Sequence, residues 1–350
     1  MTRLYLDHAA TTPLLPAARA AMAEGLERWA NPSSPHAEGR LARAALEDAR
    51  ARIGRALDLD GTIIFTSGAT EAIDIVLRRA KAERLLISAV EHDAVRRAAG
   101  AVDLLPVSDD GVVEPLPLGL GATLVAVQAV NNETGVIQPL GEIAEAARRE
   151  GALLLADCAQ AAGKMPLPDA DFVTISAHKL GGPPGIGALI VRDLATLAPS
   201  GGQEQGYRGG TENLPAILGF AAALDAGNAW MDRARILRAR LDAAIREQGG
   251  LVAADGAERL PTIASYRMPG VAATSQLIRF DMAGIAVSAG SACSSGSLKP
   301  SHVLAAMGWD ETAAREVIRI SFGPDTLVAD VDRVISEWRV IASSLSTEAA

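Results

Sequence analysis

Only two cysteines, Cys158 and Cys293, occur among 350 residues. That is too few for a disulfide scaffold, and neither sits in a paired metal-ligand spacing, so no metal site is expected. No window reaches the roughly 18 apolar residues of a membrane-spanning helix; the longest candidates are broken by Gly, Pro or charge. The opening MTRLYLDHAATTPLLP carries charge and Pro where a signal peptide needs an unbroken apolar stretch, so a cytoplasmic location is expected. Basic residues are outnumbered too: 33 Lys plus Arg against 42 Asp plus Glu give a formal charge of −9. Neither nucleic acid nor an anionic membrane is therefore an expected partner. What is there, at 49% hydrophobic content, suffices for one substantial core and a second smaller one.

Residues 16–29 begin with Pro, are rich in Ala, Leu and Glu, and predict a helix. Over residues 35–57, Leu41, Ala45, Ala49, Ile53 and Leu57 recur every four residues, which predicts a second helix with these side chains as its apolar stripe. From residue 61 the chain alternates short apolar runs (GTIIFT, RLLISAV, ATLVAVQAV, GALLLAD, DFVTISA, IGALIV) with helical segments such as 140–149. Such brief, nearly continuous apolar runs predict buried strands of a largely parallel sheet covered by helices, an α/β fold. The rhythm weakens after residue 210. One long helical stretch is expected over residues 213–248, then a mixed segment over 263–280, a Ser/Gly-rich loop, and helical patterns at 301–307 and 330–345. The division expected is a large domain over residues 13–235 and a smaller α+β domain from residues 1–12 and 236–350.

Sheets of this kind bind ligands outside the carboxyl ends of their strands, so the residues that follow each run are the candidates. Thr66, Ser67, Gly68, Ala69 and Thr70 join a strand end to a helix start whose amides and hydroxyls can hold a phosphate, although an ordinary capped turn uses the same residues. Asp157 ends a buried run, where a carboxylate needs a positive partner or caps the next helix; Gln160 lies three residues on. Ser176, His178 and Lys179 end another run just before Gly181 and Gly182. A lysine there can lose its proton and form an imine with an aldehyde, whereas a lone Lys is more often a solvated surface group. His92 and Asn132 follow two further runs; each alone reads as a loop residue, and the convergence of all of them at strand ends is what points to a site. Seven of the eleven residues from Ser288 to Leu298 are Ser or Gly, so Cys293 reads as a loop thiol able to reach a substrate sulfur, while Cys158 beside a buried run reads as structural.

Taken in order, Tyr5 through Thr12, Ser67-Gly68-Ala69-Thr70-Glu71, Glu91-His92, Asn131 through Gly135, Asp157 through Gln160, Ser176-Ala177-His178-Lys179, Arg208 through Asn213, the Cys293 loop and Ile318 through Gly323 resemble the cysteine desulfurases. These are class V aminotransferase-like members of the fold-type I pyridoxal-phosphate enzymes. The resemblance covers nearly the whole chain and implies a mostly parallel seven-stranded sheet flanked by helices, with a smaller α+β domain. It implies that pyridoxal 5'-phosphate is held by Lys179 as an imine, that His92 stacks on the ring and exchanges protons, that Asp157 pairs with the ring nitrogen, and that Gln160 touches the phenolic oxygen. Ala69, Thr70, Ser176 and His178 would hold the phosphate, with Thr211 from the partner subunit of a homodimer. Asn132, beside the cofactor, and Arg319 would fix the substrate carboxylate, with Asn31 lining the same region. Cys293 would take sulfur from L-cysteine as a persulfide, leave L-alanine, and pass the sulfur to an acceptor protein or small thiol. The long loop over residues 288–300 resembles that of the group serving iron–sulfur assembly; thiolation is another destination for the sulfur. His8 departs from the family pattern, standing where tyrosine is common. The competing expectations are another class V enzyme (a selenocysteine lyase, an aminotransferase or a β-lyase) and a noncatalytic cofactor-binding scaffold.

Overall fold

The structure is a computed structural model and describes residues 3–289 and 301–348, so Cys293 lies outside the described residues. Among the described residues the strands are β1 (Leu4–Tyr5), β2 (Thr62–Thr66), β3 (Arg84–Ser88), β4 (Asp103–Leu105), β5 (Thr123–Gln128), β6 (Leu153–Asp157), β7 (Phe172–Ser176), β8 (Gly187–Val191), β9 (Leu251–Val252), β10 (Ile263–Arg267), β11 (Ile285–Ala286) and β12 (Val317–Ser321). The helices are α1 (Pro16–Glu27), α2 (Ala37–Leu57), α3 (Ala69–Arg79), α4 (Asp93–Ala99), α5 (Leu140–Arg149), α6 (Leu214–Asp225), α7 (Met231–Glu247), α8 (Ala273–Met282), α9 (His302–Ala306), α10 (Glu311–Ala314) and α11 (Val328–Glu348).

Seven strands form one sheet in the order β2-β8-β7-β6-β5-β3-β4. All neighbours pair parallel except β8, which runs antiparallel to both β2 and β7. Helices cover both faces, and this is why the central strands are buried on both sides and mostly apolar: β5 is buried along its whole length. One core lies under α1, α2, α5 and α6 and includes Leu46, Ile53, Val125, Val127, Leu154, Ile175 and Phe220. The opposite face packs Ile73, Val76 and Val95 of α3 and α4 on Ile64, Leu124, Leu155, Phe172 and Leu189.

A separate core gathers Leu6, Leu241, Ile245, Tyr266, Phe280, Ile318, Ile320 and Trp338 around the antiparallel sheet β12-β10-β9 and helices α7, α8 and α11. The first residues join it, because β1 pairs with β11 and Asp7 bridges to Ser321. A seam of Val90, Val136, Ala253, Val303, Leu304, Met307 and Val317 joins the two sheets.

Two local expectations are corrected. In α2 the buried residues are Gly39, Ala42, Leu46, Ala49, Ile53 and Leu57, while Leu41 is 66% exposed. A strict step of four advances about 40° per repeat against 3.6 residues per turn, so the stripe must take a step of three to stay on one face. The stretch over 213–248 is two helices. Asn213 caps α6, its Oδ1 accepting from Ala216 N at 3.3 Å, and Gln248 ends α7, but between them Gly227 takes φ 70° and turns the chain.

Candidate active site

A cavity of about 370 Å³ opens at the carboxyl ends of the parallel strands. Its walls come from the turns after β2, β3, β5, β6 and β7: Ser67 to Glu71, His92, Asn132, Asp157, Gln160, Ser176, His178 and Lys179. At the first of these turns Gly68 caps α3 without a side chain of its own, while Glu71 Oε2 accepts from Ser67 N at 2.5 Å and Thr66 Oγ1 from Gly68 N at 3.4 Å. The turn is pressed close to β8, since a Cβ on Gly187 would lie 2.7 Å from Gly68 Cα. Ser176 Oγ is 3.6 Å from where a Cβ of Gly68 would stand, so hydroxyl and helix start face one spot suited to an anion.

Lys179 closes the short 3-10 turn Ala177–Lys179 that follows β7. The N-terminal segment clamps this turn: Thr12 N donates to His178 O at 2.8 Å and Thr12 Oγ1 to Lys179 O at 3.2 Å. Lys179 Nζ donates to Ala9 O at 2.6 Å, and Gln160 Nε2 donates to the same carbonyl at 2.8 Å. Burial, reinforced by Arg319, pushes the Lys179 amine down to about 8. Burial, with Lys179 and Lys164 adding repulsion, also pushes His178 down to about 4, so its imidazole is neutral; its Nδ1 lies 3.2 Å from Thr11 Oγ1.

Asp157 ends β6 with Oδ1 accepting from Ala159 N at 3.0 Å. Burial raises its pKa, and the hydrogen bond from Ala159 N, with His92 and Lys179 nearby, opposes that rise. His92 is the N-cap of α4: Nδ1 accepts from Ala94 N at 3.1 Å, so the neutral ring carries its proton on Nε2. Burial lowers its pKa as well. Glu91, the residue before it, is fully buried and pushed well above the carboxylate range by that burial; its Oε1 accepts from Gln128 N at 2.7 Å.

Arg319 enters from β12 of the smaller sheet. Its Nη1 donates to Asn132 O and its Nη2 to Asp7 Oδ1, both at 2.8 Å. It thus stands behind Asn132, which is itself in the cavity wall. Asn131 shapes that turn, its Oδ1 accepting from Glu133 N and Thr134 N at 2.9 Å each.

Two further candidates are not brought to the cavity within one chain. Thr211 is exposed, and its segment approaches only through the Arg208–Glu71 ion pair at 3.1 Å. Asn31 is exposed, with Oδ1 accepting from Ser33 N at 2.8 Å. Cys158 is 0% exposed in the sheet core, in line with a structural role. Cys293 is outside the described residues, but the residues on either side of that segment are placed. Ser288 N donates to Arg319 O at 3.1 Å, and Ser301 Oγ donates to buried Glu133 Oε2 at 2.6 Å. Sequence reasoning had no separate role for Ala9, Asp7 or Glu91. Ala9 acts through a carbonyl, which leaves no trace in residue type, whereas the charge of Asp7 within LYLDHAA was a signal that could have been followed.

The family model described as aminotransferase class-V matches residues 4–334. The chain is 38% identical to a cysteine desulfurase of Cereibacter sphaeroides, covering 99% of this chain and 97% of that one. Among solved structures, a NifS-like protein from Rickettsia africae superposes with a TM-score of 0.88 at 30% identity, covering 97% of this chain and 99% of the other. SspA in complex with cysteine superposes with a TM-score of 0.77 at 29% identity, over 93% of this chain and all of its own. With strand-end residues gathered at one cavity and likeness running from end to end, the chain belongs to the aminotransferase class-V family and, within it, to the cysteine desulfurases.

Proposed function

We propose that this protein is a pyridoxal-phosphate-dependent cysteine desulfurase that converts L-cysteine and an acceptor thiol to L-alanine and a persulfide. The observation that carries this reading is the meeting of Lys179, Asp157, His92 and the open start of α3 at one cavity, in a chain so similar to a cysteine desulfurase. A structural neighbour solved with cysteine supports the choice of substrate.

The residues fit the cofactor. Asp157 is a buried carboxyl in need of a cation, which a ring N–H supplies. Among the described residues Gln160 Oε1 is buried without a partner, and the N-cap of α3 makes no side-chain hydrogen bond, with Thr70, Ser176 and His178 beside it for a phosphate. When bound, the cofactor supplies a ring that withdraws electrons from a carbanion at the amino-acid α-carbon.

Lys179 has the role of holding the cofactor: with a pKa near 8 a useful fraction of its amine is neutral and nucleophilic at working pH. With cofactor and substrate bound, the Lys179 amine would take the α-proton of the substrate. His92 would lie against the ring, with the Nε2 proton that its cap leaves free to offer. Asn132 and the fork of Arg319 hold the substrate carboxylate. Cys293, as a thiolate, attacks the substrate sulfur. The S–S bond forms as the carbon–sulfur bond breaks, the bonding pair stays with carbon, and protonation there yields alanine. The outer sulfur remains on Cys293 until an acceptor thiol or protein takes it.

A homodimer belongs to the proposal, because Thr211 is exposed and lies outside its own cavity. So do sulfur supply to iron–sulfur assembly or thiolation and a cytoplasmic location; no helix among the described residues is long and apolar enough to cross a membrane. The division into residues 13–235 against 1–12 with 236–350 is supported by α7, which sends Met231 into the sheet core and Leu237, Leu241 and Ile245 into the second. The test of function is direct. Purified protein given L-cysteine and a reductant is expected to release alanine and sulfide in equal amounts, with a yellow absorbance that Lys179→Ala removes. Pyruvate in place of alanine, or no sulfide, contradicts the assignment.

A further inference from the structure

We infer that Asp7 sets how tightly the site holds an α-carboxylate, because it already occupies part of the Arg319 guanidinium in the resting protein. The inference rests on the reading of Arg319 as the carboxylate's partner. The Arg319 side chain is 5% exposed and held at two points, Nη1 on Asn132 O and Nη2 on Asp7 Oδ1. Its Nε is buried with no partner among the described residues. A buried N–H without an acceptor is costly, and Nε shares one edge of the planar guanidinium with Nη2. That edge therefore has an unmet donor, which one oxygen of a second carboxylate would satisfy.

The backbone of Asp7 is held beside Arg319. Its backbone bridges to Ser321 of β12, two residues from Arg319, and its carbonyl accepts from Tyr5 Oη at 3.0 Å. A ligand carboxylate thus meets a cation that Asp7 Oδ1 already holds at 2.8 Å, and each weakens the hold of the guanidinium on the other. Substrate and product here carry an identical carboxylate. Asp7 accordingly limits affinity for both, which keeps the product from staying bound.

The experiment measures binding to the holoenzyme by calorimetry with two ligands, L-alanine and ethylamine, which differ in the carboxylate. Asp7→Asn keeps a side-chain oxygen to accept from Nη2 but removes the competing charge. It is expected to tighten L-alanine about tenfold and to leave ethylamine within about twofold; Asp7→Glu, which keeps the charge, is expected to stay near the unmodified protein. A positioning role of a merely structural kind moves both ligands together. L-alanine binding that is unchanged or weaker in Asp7→Asn overturns the inference. Arg319→Ala separates the two levels of the reading, since it is expected to erase the difference between the ligands. If the difference survives, the role of Arg319 is wrong and the inference about Asp7 falls with it; if it vanishes while Asp7→Asn fails to tighten L-alanine, the inference about Asp7 alone is overturned.

Discussion

The reactivity of Lys179 comes from the cost of charging an amine where water is scarce. Burial, with Arg319 nearby, brings its pKa to about 8, against 10.5 for an ordinary lysine. The folded value is lowered, so the neutral fraction grows about tenfold per pH unit below 8 and levels above it. Covalent capture of the cofactor by apoprotein is therefore expected to rise up to about pH 8 and to flatten by about pH 9; stopped-flow absorbance measures it, and a rate still climbing in proportion at pH 10 contradicts the shift. Lys179→Ala is expected to abolish turnover even with saturating cofactor, because imine and proton shuttle go together. At this scale the sequence made the side chains at strand ends legible: Asp157, His92, Asn132 and Lys179 all reach the cavity wall. It did not reveal that one backbone carbonyl, Ala9 O, receives both Lys179 and Gln160, since any residue type supplies a carbonyl.

Elements were legible where burial leaves a periodic trace. The six long strands announce themselves because helices cover both faces, whereas β4 is a three-residue edge strand with two exposed positions and gives no pattern. The break between α6 and α7 hides in a stretch whose composition suits helix on either side of Gly227. The smaller core depends on contacts between distant elements. Trp338 of α11 is fully buried and meets the Tyr266 ring of β10 edge-on, centroids 6.3 Å apart. Trp338→Ala is expected to cost about 3–5 kcal/mol in urea unfolding, and a loss below about 1 kcal/mol contradicts this packing. Tyr266 Oη also accepts from Arg238 Nη1 and donates to Asp242 Oδ1, each at 2.5 Å. Tyr266→Phe strips both buried charges of that partner and is expected to destabilise by about 1–3 kcal/mol on the same assay.

The molecule as a whole joins two sheets at the wall of one cavity. The large sheet positions Lys179 and Asp157, and the small one brings Arg319 up behind Asn132. A homodimer is expected to appear in solution at twice the chain mass of 36.2 kDa, and a monomer by light scattering removes Thr211 from the partner subunit's site. Cys293→Ala is expected to keep the cofactor's colour and to release almost no sulfide, which steady-state assay resolves. The division of labour between an amine that opens the substrate and a thiol that removes its sulfur is tested most directly by mass spectrometry after a brief exposure to L-cysteine. One added sulfur atom on the peptide containing Cys293, absent from Lys179→Ala treated alike, is the expected result. An unmodified Cys293 in protein that is actively releasing sulfide contradicts the account.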